Sequence, residues 1–171
     1  KPAGWDTLVK PPLDAPEDIS IYELHVRDFS VDDTTVPAEH RGRFMAFTHN
    51  GQGGGAASRG MAHLRALADA GLTVVQLLPS FDYATVEEDR EQRVELDDGF
   101  DKLCAKVAAV PRAQCTQFGT RTLRDVLGTF DPTTGDAQAL MAHVRPIDGF
   151  NWGYDPVHYT APEGSYATNP S

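Results

Sequence analysis

SRGMAHLRALADAGLTVVQLLP, residues 58 to 79, is the stretch on which the fold turns. Ser58 offers the short side-chain oxygen that caps the free N–H groups of a first helical turn. Met61, Leu64, Leu67 and Ala68 recur at helical spacing, and Gly71 stands where a left-handed residue ends a helix. The helix runs at once into LTVVQLLP, a mostly apolar run of strand length, as expected of a strand buried on both faces. Upstream, ISIYELHVRDFS carries Ile19, Ile21, Leu24, Val26 and Phe29, which predicts a strand over residues 19 to 26. Strand, helix and buried strand make a βαβ unit, and such units build parallel sheets through right-handed crossovers. The fold class is therefore α/β.

Outward from this unit the pattern changes. Residues 31 to 57 read as a long irregular excursion ending in GQGGGAA, flexible by composition. Residues 1 to 18 are Pro-rich, without an apolar signal core, and read as a linker from an upstream domain. After Pro79 the stretch SFDYATVEEDREQRVELDD is acidic. Three weaker helical patches follow, GFDKLCAKVAAV, TLRDVL and DAQALMAHV, as a helical insertion after the second strand. The expected organisation is a linker over residues 1–18, an α/β start over 19–83, an acidic and helical insertion over 84–147, and an aromatic loop over 148–171.

Composition limits the function. The 171 residues carry a formal net charge of -10. That is unsuited to a phosphate backbone or an anionic membrane, both of which are held by Lys and Arg. A neutral substrate is compatible with it. No apolar run approaches the roughly 20 residues that span a bilayer. The two cysteines, Cys104 and Cys115, leave a bridge or two free thiols equally open, and the compartment with them; an extracellular or cell-surface setting is compatible.

Several motifs dissolve when their mechanics are asked for. GQGGGAASRG precedes a helix but has no Lys-Ser or Lys-Thr pair, so it reads as a flexible loop. HVRDFS lies on a strand and lacks the downstream Asn of a kinase catalytic loop. Glu87, Glu88, Asp89, Glu91, Glu95, Asp97, Asp98 and Asp101 lack EF-hand spacing and read as a solvated acidic face. The six histidines are scattered, with no zinc-protease pair, and each reads as structural or exposed. Where parallel strands end at their carboxyl side, Arg27-Asp28 and Ser80-Phe81-Asp82-Tyr83 are candidates for chemistry. A structural Arg27–Asp28 pair is the plainer reading of the first.

The end of the chain, DGFNWGYDPVHYTAPEGSYATNPS, concentrates aromatics among Gly and Pro. NWGYDP reads as a turn with Gly153 free to take unusual dihedrals and Pro156 fixing the chain after Asp155. Sugar rings have apolar faces and polar edges. Trp152 and Tyr154 offer a platform for the face, and Asp155 offers an acceptor for hydroxyls. A loop folded over its own aromatic cluster is the alternative.

Three stretches carry a family resemblance: IYELHVRDFS, GMAHLRALADAGLTVVQLLPSFDYATV and FNWGYDPVHYTAPEGSYATNP. They resemble the pullulanase and limit-dextrinase branch of the α-amylase superfamily, together with VPAEHRGRFMAFT and the cysteine-containing insertion. The resemblance implies a (β/α)8 TIM barrel, of which residues 19–83 hold the first two strands and first helix. It implies a debranching glycoside hydrolase that cleaves α-1,6-glucosidic linkages in pullulan, glycogen or limit dextrins by retention, with an Asp nucleophile and a Glu acid/base. It places Tyr154, beside Asp155, against the sugar next to the scissile bond, an α-glucan as partner, and calcium as a possible ion of the full enzyme. The family's catalytic Asp, Glu and second Asp lie on later strands, so no catalytic residue is assigned here. Residues 1 to 171 alone are expected to be inactive, as a fragment missing the remainder of the barrel. A non-catalytic α-glucan-binding or interaction fragment is the alternative.

Overall fold

The computed structural model describes residues 4–10 and 12–170. It divides into two compact units, Lys1–Leu78 and Pro79–Ser171. Each is described by itself. Of the expected linker, residues 1–3 and 11 lie outside the described residues; the rest holds two 3-10 turns, Trp5–Thr7 and Pro16–Asp18.

In the first unit the βαβ reading holds. Strand β1 (Ile21–Leu24) pairs in parallel with β2 (Val74–Leu77), Ile21 opposite Val74 and Leu24 opposite Leu77, and helix α1 (Arg59–Asp69) makes the crossover. The Ser58 side chain accepts the Met61 N–H at 3.3 Å. Gly71 takes φ +105°, and the Leu72 N–H closes the helix end on the Leu67 carbonyl. Strand β1 is shorter than the expected 19 to 26, because the chain turns at His25 with the Phe29 N–H on its carbonyl. The expectation that β2 is buried on both faces is overturned: Val74, Val75 and Leu77 are exposed. A sheet of two strands covers little of either face.

The excursion over residues 31 to 57 is more ordered than its composition suggests. Three short 3-10 turns, Ala38–His40, Phe44–Thr48 and Gln52–Gly54, lie within it. Val26, Val36 and Ala46 are buried, and Phe29 stacks on Phe47 at 4.3 Å. Asp33 ties it to α1, accepting from the Thr35 N–H and hydroxyl, the Gly60 N–H and the Arg59 Nε.

Among the described residues the second unit holds four α-helices where the sequence shows three patches: α2 (Phe100–Lys106), α3 (Arg112–Phe118), α4 (Leu123–Leu127) and α5 (Asp136–Val144). RAQCTQF was missed because its apolar positions are too few to set a period. Phe100, Leu103, Phe118, Leu123, Val126, Leu140 and Val144 bury into one core. Cys104 and Cys115 form a disulfide that ties α2 to α3, which settles the choice left open by counting. The Val94 N–H donates to the Ile147 carbonyl at 2.9 Å, so the start and end of this helical segment meet. The acidic run is only partly a solvated face. Asp98 takes both Arg90 nitrogens at 3.0 and 2.8 Å, and Asp97 takes Arg124 at 2.7 Å.

The aromatic end is not all loop. Residues Pro156–Pro162 form β4, antiparallel to β3 (Phe81–Tyr83). Sequence reading missed this antiparallel pair because Pro156 and Pro162 bound a run that reads as turn chemistry.

Candidate functional site

The candidate site is built on the turn before β4. Gly153 has φ +72°, and a Cβ there would stand 2.4 Å from the Pro79 carbonyl oxygen, so only glycine fits. On either side of it two rings face solvent: Trp152 is 57% exposed and Tyr154 67%. Trp152 meets Phe150 edge to face at 5.5 Å between ring centres. Asn151 is buried and accepts the Tyr166 hydroxyl at 3.0 Å, which anchors the turn from below. A turn pinned by Gly153 and Asn151 presents its rings without the ordering cost of a free loop.

Asp155 behaves differently from the expectation of an open acceptor. It is half-buried, its carbonyl accepts the Ala84 N–H at 3.3 Å, and its Oδ2 is sealed from solvent without a hydrogen-bond partner among the described residues. The structure therefore presents Trp152 and Tyr154, and withholds one carboxylate oxygen of Asp155. The other rim candidate is structural in character: Asp28 pairs with Arg27 at 3.2 Å, and its N–H donates to Nδ1 of His25 at 3.3 Å.

Behind β3 and β4 lies a group of carboxylates that the sequence did not reveal. Glu163 is fully buried; its carboxylate accepts the Tyr83 N–H at 3.1 Å and the Ser165 N–H at 2.9 Å. Glu88 accepts the Gly164 N–H at 3.2 Å, and Asp82 meets His158. Burial pushes the Glu163 carboxyl above its ordinary range and the charge of Glu88 adds to this, while the bonds from Ser165 and Tyr83 oppose it. Burial also pushes the Tyr83 phenol up, with Tyr166 and Glu163 adding to it, so this hydroxyl stays neutral. The sequence places Glu88 in the acidic run; only the fold brings it to Gly164. Asp82, Glu88 and Glu163 can each offer an oxygen, all within 4.8 Å of one another. No Lys or Arg pairs with any of the three among the described residues. In donor type and spacing they fit a hard cation such as calcium.

With this geometry in hand, likeness to known proteins becomes informative. Residues 83–150 match the Pullulanase Ins domain family. Across 99% of its length the chain is 38% identical to a pullulanase of Klebsiella pneumoniae, and across 100% it is 39% identical to pullulanase 1, chloroplastic, of Arabidopsis thaliana. Over nearly its whole length the chain is similar to one segment of pullulanases. It spans 16% and 15% of the length of those two relatives. The crystal structure of the Klebsiella pneumoniae pullulanase complexed with maltotriose superposes on 99% of the chain with a TM-score of 0.85 at 38% identity, and the chain covers 16% of that structure. The α/β arrangement is thus that of one segment of pullulanase structures.

Proposed function

We propose that the protein containing this segment is a debranching glycoside hydrolase that cleaves α-1,6-glucosidic linkages in pullulan, glycogen or limit dextrins. The end-to-end match to pullulanases supports this reading, together with a solved relative that holds maltotriose. Within it, β1, α1 and β2 are the opening strand–helix–strand of a (β/α)8 barrel. Their parallel register and the exposed apolar side chains of β2 support that placement, since neighbouring strands and helices would cover them.

The observation that carries the role of this chain is the rigid turn with its exposed rings. Tyr154 forms the platform against a glucose ring, and Trp152 widens it. Asp155 positions the turn through its backbone, its carbonyl accepting the Ala84 N–H. Asp82, Glu88 and Glu163 would hold calcium, which would neutralise their charge and brace the β3–β4 pair. Hydrolysis itself needs a nucleophile and a proton donor from elsewhere in the protein, so residues 1–171 alone are expected to cleave nothing.

The test is hydrolysis of pullulan by the full-length protein, with products separated by linkage. Maltotriose release is expected. Tyr154→Ala should lower kcat/KM by about tenfold to a hundredfold, the loss of one well-placed ring contact. Cleavage confined to α-1,4 linkages, or an unchanged kcat/KM in that variant, would overturn the reading.

A further inference from the structure

Past β4 the chain makes a 3-10 turn, Gly164–Tyr166, to which the glucan reading gives no task. Tyr166 is 1% exposed, and its surroundings fix it. Its ring meets the Tyr83 ring of β3 edge to face, with 6.1 Å between centres. Its N–H donates to the Glu163 carbonyl at 3.3 Å. The buried Glu163 carboxylate caps the turn, taking the Ser165 N–H on one oxygen and the Tyr83 N–H on the other. The phenol oxygen is therefore a fixed point, set by β3 and the turn together.

That oxygen reaches the residue next to Trp152. The Tyr166 hydroxyl lies 3.0 Å from Oδ1 of Asn151, and Nδ2 of Asn151 donates to the Gly149 carbonyl at 3.2 Å. A carbonyl only accepts, so it holds the amide nitrogen on its own side. Oδ1 is left for the phenol, which must donate. Asn151 is 6% exposed, so water does not readily replace a bond lost there. The backbone on both sides of Trp152 is thus held, by Asn151 before it and by Gly153 against the Pro79 carbonyl after it. Tyr154 follows, and the Asp155 carbonyl closes the far side on the Ala84 N–H.

We infer that Tyr166 is a positioning residue for the sugar platform: its hydroxyl, acting through Asn151, holds the turn so that Trp152 and Tyr154 receive a glucan chain already ordered. This role rests on the reading of those two rings as the platform. Tyr166 touches no sugar itself, because its side chain is sealed from solvent. Without its oxygen the Asn151 amide loses its fixed partner and the turn samples other geometries. Glucan binding then carries the cost of ordering the turn.

Pullulan hydrolysis by the full-length protein tests this role. Tyr166→Phe deletes one oxygen and keeps the ring on Tyr83, so the fold should persist by circular dichroism. KM should rise about fivefold, with kcat within about twofold of the wild type. In a Trp152→Ala, Tyr154→Ala background the same change should alter KM by less than about twofold, because no rings remain to be positioned. Added to Asn151→Ala, it should likewise change nothing further. A hydroxyl that only stabilised the fold would lower kcat through a smaller folded fraction, leave KM alone and act equally in every background. That pattern, or wild-type kinetics in Tyr166→Phe, would overturn the role of Tyr166 while leaving the debranching reading intact. A wild type that releases no maltotriose would overturn that reading, and this role with it.

Discussion

Asp33 is 8% exposed and carries its charge into a ring of donors: Thr35 through N–H and hydroxyl, Gly60 through N–H, and Arg59 through Nε. Burial alone would push its carboxyl up, yet the bonds from Thr35, Gly60 and Arg59 outweigh it and hold the group well below the ordinary carboxylate range. A depressed folded value stabilises the closed segment fully above the ordinary carboxylate range, and that contribution fades as pH falls below it. Asp33→Ala should therefore cost about 2 kcal/mol of local stability at neutral pH, read as faster amide exchange at the start of α1. The gap between variant and wild type should narrow in acid; a gap that is constant with pH would contradict the charge argument. Nothing in the stretch VDDTTVP singles out Asp33 over Asp32, because its donors at residues 59 and 60 arrive only through the fold.

At the scale of elements, two features make separate predictions. The disulfide ties α2 to α3 across a short loop. By the chain-entropy account, Cys104→Ser with Cys115→Ser should destabilise the helical segment by roughly 2–3 kcal/mol, seen as a lower denaturant midpoint for probes over residues 99 to 145. Amide exchange at β1 and α1 should be untouched. The turn at Gly153 fails in a different way. Gly153→Ala must leave a positive φ and move its Cβ off the Pro79 carbonyl, at a cost of about 1–3 kcal/mol. The turn should shift its rings, so glucan affinity should fall while the denaturant midpoint of α2 to α5 holds; an unchanged affinity would mean that these rings do not hold sugar. The helix α1 was legible because cap, stripe and closing glycine agree locally. The β3–β4 pair was not, because it joins residues far apart in sequence, Phe81 with Pro162 and Tyr83 with Pro156.

For the whole molecule, the prediction concerns what a segment lacks. Residues 1–171 expressed alone should show no pullulan hydrolysis, whereas the full-length protein should show it; release of maltotriose by the segment would place a nucleophile and an acid within it. Local order in the sequence determined much: the capped helix, the apolar character of β2 and the Gly153 turn rest on near neighbours, and the order of these signals along the chain gave the βαβ unit and the family resemblance. Contacts between particular side chains were decided only by tertiary structure. They include the Cys104–Cys115 bridge, the burial of Glu163 beside Glu88 and Asp82, the sealed oxygen of Asp155, and the meeting of His40 with His49. Periodicity reports which face of an element is apolar, but a carboxylate or an imidazole has no period. Its protonation and its use depend on which atoms the folded chain sets within a few ångströms of it.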